Sequence, residues 1–251
     1  MSLVRTALRL CAIGAWTGTA DARPTIAEER VYDSRIGDLS PETFGEDAKP
    51  VIIALTDNDQ GDELSRQNGG PPFIRMIDLV VEFGMVMTLK DGADFVIGYP
   101  DTDARLEASL DLLEFQIVRR LAYGLDPLSI QFRKMARIVK YENHRHVMDD
   151  SGVKIACRVL TLTCQCNDDQ VDTYNASCAV PSGSAALPQS LREVCALLPS
   201  GSAGAQACTA IAVAIDPLTA PAFKGMDVEY DANSLSDGDP SVQGTIELPQ
   251  S

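Results

Sequence analysis

Seven apolar side chains, Ile77, Leu79, Val81, Phe83, Met85, Met87 and Leu89, fall on alternate positions between Phe73 and Lys90. Asp78, Glu82 and Thr88 stand among the intervening ones. Successive side chains of a strand point to opposite faces, so this period predicts one long, half-buried strand. Its apolar face needs a second layer to cover it. The sequence supplies one just downstream. A turn at Lys90-Asp91-Gly92 and a short strand over 93–98 lead to Asp101, a helix cap, with Asp103 near the positive helix end. Leu106, Leu110, Leu113, Ile117 and Leu121 then recur at helical spacing and are expected to lie on the sheet. Gly124 ends this helix and Asp126-Pro127 starts another, with Met135 and Ile138 among its apolar positions.

Elsewhere the pattern is less regular. Val4, Leu8, Cys11 and Ala15 form one stripe of a helix over 2–16, capped by Ser2 and stopped by Gly18. The same segment has the outline of a secretory signal: Arg5 and Arg9, an apolar run from Leu10, and Ala20-Asp21-Ala22. Arg9 interrupts its apolar part, which favours the helix. Residues 30–34 read as a short strand or extended segment, and 36–50 as a polar loop. Residues 51–55 read as a buried strand, followed by the turn residues Thr56-Asp57-Asn58-Asp59 and a loop over 60–72. Residues 137–147 and 153–164 flank a turn-rich break and predict a hairpin. The second of these strands is apolar on both faces, hence central, with room for a bulge.

Past Cys166 small residues dominate. Pro181-Ser182-Gly183-Ser184-Ala185 recurs as Pro199-Ser200-Gly201-Ser202-Ala203, bracketing a short helix over 187–198. Residues 209–215 alternate Ala with Ile and Val and fit helix or strand equally. The organisation expected is an α+β core over 1–166, in which a mixed or antiparallel sheet carries helices on one face. A C-terminal extension over 167–226 and an acidic arm over 227–251 follow.

The chain of 251 residues has 36 acidic and 21 basic side chains, a formal charge of −15. Such a field repels nucleic acid instead of gripping its phosphates. No apolar run approaches the roughly 20 residues of a membrane span. Seven cysteines would suit a disulfide scaffold in a secreted chain, but the count is odd and Cys11, Cys157 and Cys164 sit in apolar patterns as small hydrophobes, so the compartment reads as reducing, with any disulfide pairing left open.

Chemistry is sparse. His144 and His146, with Cys164 and Cys166, are the one arrangement resembling a metal site. With a hairpin turn near Asp150, His146 pairs near Lys154, His144 near Ala156 and Cys164 near Ala136. That places thiols and imidazoles roughly 25 Å apart at ~3.3 Å per residue. No nucleophile elbow accompanies the histidines. Gly69-Gly70-Pro71-Pro72 lacks the helix and Lys of a phosphate loop. Asp57, Asp59, Asp101 and Asp103 fit turn and cap roles. No catalytic, metal or cofactor residue is assigned. Arg30, Tyr32, Asp33 and Arg35 form a compact polar-aromatic segment that reads as a solvated strand end or a subunit contact.

Taken in order, these segments resemble the tail terminator proteins of long, non-contractile-tailed bacteriophages, the lambda type. The stretches that carry the resemblance are Leu3-Val4-Arg5-Thr6-Ala7-Leu8-Arg9, Arg30-Val31-Tyr32-Asp33-Ser34, residues 50–57, the long strand, 101–121 and 153–164. They cover roughly the first two-thirds of the chain, and order and spacing carry the likeness. The resemblance implies a structural virion protein assembled in the host cytoplasm. Its homohexameric ring would cap the tail tube, stop its polymerisation and join it to the head–neck connector, with DNA passing through unbound. It carries no catalytic residues to transfer. The part past Cys166 departs from the family in being longer. The competing expectations are another tail or neck component (tail tube or head-closure protein), a secreted periplasmic binding module, and a hydrolase.

Overall fold

The computed structural model describes residues 3–18, 22–34, 50–64, 72–85, 88–91, 94–97, 103–150, 153–169 and 182–215. Arg35, the Ser2 and Asp101 caps, the Gly92 turn, the loop over 36–49 and the arm over 227–251 lie outside them.

Helix α1 (Val4–Thr17) precedes three strands, β1 (Val31–Asp33), β2 (Val51–Glu63) and β3 (Phe73–Met85). Two short strands follow, β4 (Thr88–Asp91) and β5 (Asp94–Ile97), then helices α2 (Asp103–Tyr123) and α3 (Pro127–Met135). The hairpin β6 (Ala136–Asp150) and β7 (Val153–Asn167) leads to a 3₁₀ turn (Gly183–Ala186), α4 (Gln189–Leu197) and α5 (Ala203–Ile215). The main sheet has the order β1-β2-β3-β7-β6 and is antiparallel except for the parallel β1–β2 pair. The fold is α+β, as the periodicities predict.

The two predicted stripes share one core. Ile77, Leu79, Val81 and Phe83 of β3 are fully buried together with Leu110, Leu113, Ile117 and Leu121 of α2. Leu160, Leu162 and Cys164 of β7 stand beside them on the same face. α1 adds Val4, Ala7, Leu8, Leu10, Cys11, Ala12, Ala15 and Trp16. Its stop is Gly18, at φ +83°, where an added Cβ would sit 2.6 Å from the Ala22 carbonyl oxygen. A cleaved leader would remove this whole side of the core, so the helix reading of the segment is the one the packing supports. The C-terminal extension joins the same core through Leu187, Leu191, Val194, Cys208 and Ala212.

Four details differ from the sequence reading. The long strand ends at Met85, and Leu89 pairs instead with Val96 in the separate β4–β5 hairpin, a purely local closure. β2 runs on to Glu63 through residues expected to be turn and loop, crossing a register shift between Thr56 and Asp59. The bulge expected in β7 lies in β6, between Ile138 and Lys140. Ile138 is a strand residue, because α3 stops at Met135.

At α3 the reading holds in detail. Asp126 accepts from the Ser129 amide at 2.9 Å, with Pro127 in the first turn. The two near-copies share a backbone device: Gly183, which opens the 3₁₀ turn, and Gly201, two residues ahead of α5, both take positive φ (+61° and +81°). Residues 209–215 are helical, within α5.

Candidate interaction surface

The sheet ends in two edges of unequal character. At β1, Val31, Tyr32 and Asp33 pair in parallel with Ile52, Ile53 and Ala54. The Arg30 carbonyl accepts from the Ile52 amide at 3.0 Å. Tyr32 is half-buried, and the Asp33 carboxylate is held by the Arg9 guanidinium and by Ser34 Oγ at 2.8 Å. Arg9 also reaches Thr56 Oγ1 at 3.3 Å, so the predicted contact segment is tied to α1 and β2. Three of the four predicted residues therefore cluster at one edge, and Arg35 lies outside the described residues.

The opposite edge, β6, was not singled out by the sequence reading. It is fifteen residues long and pairs only with β7 among the described strands. Lys134, Arg137, Lys140, His144, Arg145 and His146 are exposed on it or just before it. Lys140 donates to Glu142 at 2.8 Å, and this bond holds the Glu142 carboxyl below the usual range. The signal was present: from Arg133 to His146 the chain has five Lys or Arg, one Glu and both of its histidines. In a chain of charge −15, that density marks the stretch.

Between this edge and α2 lies an open groove of about 410 Å³, lined by Asp111, Glu114, Phe115, Val118, Ile138, Tyr141 and Leu162. Phe115 and Tyr141 are 57% and 65% exposed, and Leu112, Tyr123 and Leu125 extend the apolar strip along and beyond α2. The Arg119 guanidinium sits 5.6 Å from the Phe115 ring centre. The two groove carboxylates are engaged, since Arg158 donates to Asp111 at 2.7 Å and to Glu114 at 2.9 Å.

The other polar clusters tie elements together. Arg75 holds Asp59 with Nε at 3.1 Å and Asp168 at 3.3 Å, fastening β2, β3 and the end of β7. Asp169 accepts from the Leu3 amide at 2.6 Å and from Ser190 Oγ at 2.7 Å, joining α1 to α4. A smaller hollow of about 170 Å³ lies there, flanked by Gln131, Lys134, Gln189 and Glu193.

The hairpin register corrects the metal-site geometry. His146 pairs with Cys157 and His144 with Val159, three residues away from the expected register. Cys164 is thus five residues from the partner of His144, roughly 17 Å at ~3.3 Å per residue instead of 25 Å. The two also point to opposite faces, because Cys164 shares parity with Leu162 and Leu160 in the core while His144 is exposed. Among the described residues no group of three His, Cys, Asp or Glu side chains converges on a metal position.

The thiols are not activated. Burial pushes the Cys166 thiol up to about 12, helped by the Asp59 charge, and burial raises Cys11, Cys164 and Cys157 as well. Cys195 and Cys208 are joined in a disulfide between α4 and α5, a pairing the sequence reading left open and one at odds with a reducing compartment. No helix of the described residues is long and apolar enough to cross a membrane. Neither known family models nor curated proteins match this chain.

Proposed function

We propose that the chain is a structural, self-associating subunit of a phage tail: the terminator that closes the tail tube and joins it to the head–neck connector. The observation that carries this reading is the apolar strip from Leu112 and Phe115 to Tyr123 and Leu125, beside a sheet edge that carries exposed Tyr141. Aromatic and aliphatic surface of that extent, flanked by Arg, is what a protein–protein contact desolvates. A closed ring of identical subunits uses such a surface without leaving a free end. The order of segments resembling lambda-type terminators supports the choice within this class. The charge of −15 supports a lumen that DNA passes without adhering.

Native mass spectrometry and negative-stain imaging of the purified protein test the reading, together with addition to polymerising tail-tube protein. Rings that arrest tube growth are expected. Monomers alone at high concentration, with no attachment to tube ends, reject it.

The Cys195–Cys208 bond favours a second reading, a secreted binding module, because such bonds persist in oxidising compartments. A mature N-terminus near Arg23 would support that reading, against the packing of α1.

A further inference from the structure

We infer that the acidic arm, residues 227–251, is the strand that covers the open β6 edge. Three independent features of edge and arm match.

The first is backbone. Among the described residues β6, fifteen residues long, has a neighbour on one side only, so its other side offers N–H and C=O groups that another extended segment can take up.

The second is the division of faces. On β6, Tyr141 and Asn143 pair with Leu162 and Leu160 and so share the face of α2 and the groove. Arg137, Lys140, His144 and His146 pair with Gln165, Thr163, Val159 and Cys157 and so share the opposite face. Arg145 also stands on the groove face, held by Glu107 at 2.9 Å, and Glu142 on the opposite one, held by Lys140, so an added strand fits best with an uncharged side toward the groove and an acidic side away from it. The arm has that pattern: Val242, Ile246 and Leu248 occupy even positions, while Asp237, Asp239 and Glu247 occupy odd ones. Gly238, Pro240 and Gly244 fill the remaining even positions with little bulk, and a Pro is tolerated on an outermost strand.

The third is charge. The arm has six carboxylate side chains and no Lys or Arg, whereas 133–146 has five Lys or Arg against Glu142 alone. The groove's own carboxylates, Asp111 and Glu114, share the Arg158 guanidinium and lie on the α2 face, where the arm would present its uncharged side.

Reach is sufficient. The eleven residues between Ile215 and Asp227 span up to roughly 36 Å when extended, comparable with the width of a fold of this size. The occupant is the same segment whether it comes from its own chain or is exchanged with the next subunit of a ring, so the inference does not depend on ring formation.

Hydrogen exchange of the full-length protein at low salt tests it. In the wild-type chain, the β6 amides of residues 139–147 are expected to exchange at least tenfold more slowly than in Ile246→Asp/Leu248→Asp. Raising salt to about 0.5 M should shrink the difference, since the ion pairs involved are exposed. Arg137→Glu/Lys140→Glu should lose the protection. Adding Asp237→Lys, Asp239→Lys and Glu247→Lys to that variant should restore part of it, which a merely misfolded edge would not show. Equal β6 exchange in the wild-type chain and Ile246→Asp/Leu248→Asp overturns the inference, as does protection that arises only when an oligonucleotide is added. Native mass spectrometry on the same samples reads ring formation separately, so loss of one property leaves the other measurable.

Discussion

The indole nitrogen of Trp16 donates to the main-chain carbonyl of Ile117 at 3.1 Å, pinning α1 to the middle of α2. Trp16 is fully buried and is the only tryptophan of the chain. Trp16→Phe keeps most of the ring's contacts and removes the bond, at an expected cost of about 1–2 kcal/mol. Trp16→Ala should cost about 3–5 kcal/mol. Urea unfolding followed by circular dichroism measures both, and an unchanged midpoint for Trp16→Phe would show that the bond contributes nothing.

Arg158 is the hub between β7 and α2. It reaches Glu107 at 2.6 Å, Asp111 at 2.7 Å and Glu114 at 2.9 Å, and its own side chain is only 12% exposed. Arg158→Ala leaves Asp111 and Glu114 without their cation, while Glu107 keeps Arg145 at 2.9 Å. The cost should be about 2–3 kcal/mol, below that of a fully buried pair, because Asp111 remains open to solvent. Arg158→Lys should recover less than half of it, since one ammonium cannot hold three partners. Thermal unfolding of the two variants decides the point.

The buried thiols make stability depend on alkaline pH. Cys166 rises from about 9 to about 12 on folding, so the native state holds a proton that the unfolded chain releases. The contribution is fully present below about pH 9 and is lost as pH climbs from there toward 12. Denaturation midpoints should be flat from pH 7 to 8 and fall steeply above 9, with Cys166→Ala flattening the slope. A thiol reagent at pH 8 should leave Cys11, Cys157, Cys164 and Cys166 unmodified until the chain is unfolded.

The Cys195–Cys208 bond closes a loop of 13 residues in sequence and joins α4 to α5. For a loop of that length the constraint is worth about 3 kcal/mol. Reduction, or Cys195→Ser/Cys208→Ser, should speed amide exchange over 189–215 while the β3–β7 ladder exchanges as before. Uniform loosening of the whole fold would show instead that the C-terminal helices unfold together with the sheet.

Local rules made the helices legible. Asp126-Pro127, Gly18 and the Leu106–Leu121 stripe each act within one turn or one face, and all three stand where the sequence places them. What failed was non-local. The hairpin register followed from assuming a turn near Asp150, whereas the ladder runs on to pair Asp150 with Val153. Asp59, Gln60 and Gly61 look like a loop, yet they pair with Ile77, Met76 and Arg75, and the Arg75–Asp59 ion pair sits across that ladder. The basic edge went unread because Lys and Arg on an exposed strand look like ordinary solvation until the topology puts that strand at the margin of the sheet.

The two margins of the sheet differ fivefold in length, three residues at β1 against fifteen at β6. On the β1 side a copy's β6 would meet three residues of β1 and then a step down to β2, whose Thr56 and Asp57 carbonyls already accept from Arg5, so head-to-tail stacking into an endless fibre finds no continuous margin. Two long margins meeting across a twofold axis would, by contrast, make a deep antiparallel seam. Wherever the arm is displaced from β6, the hazard for this molecule is therefore a discrete wrong dimer, not runaway filament growth.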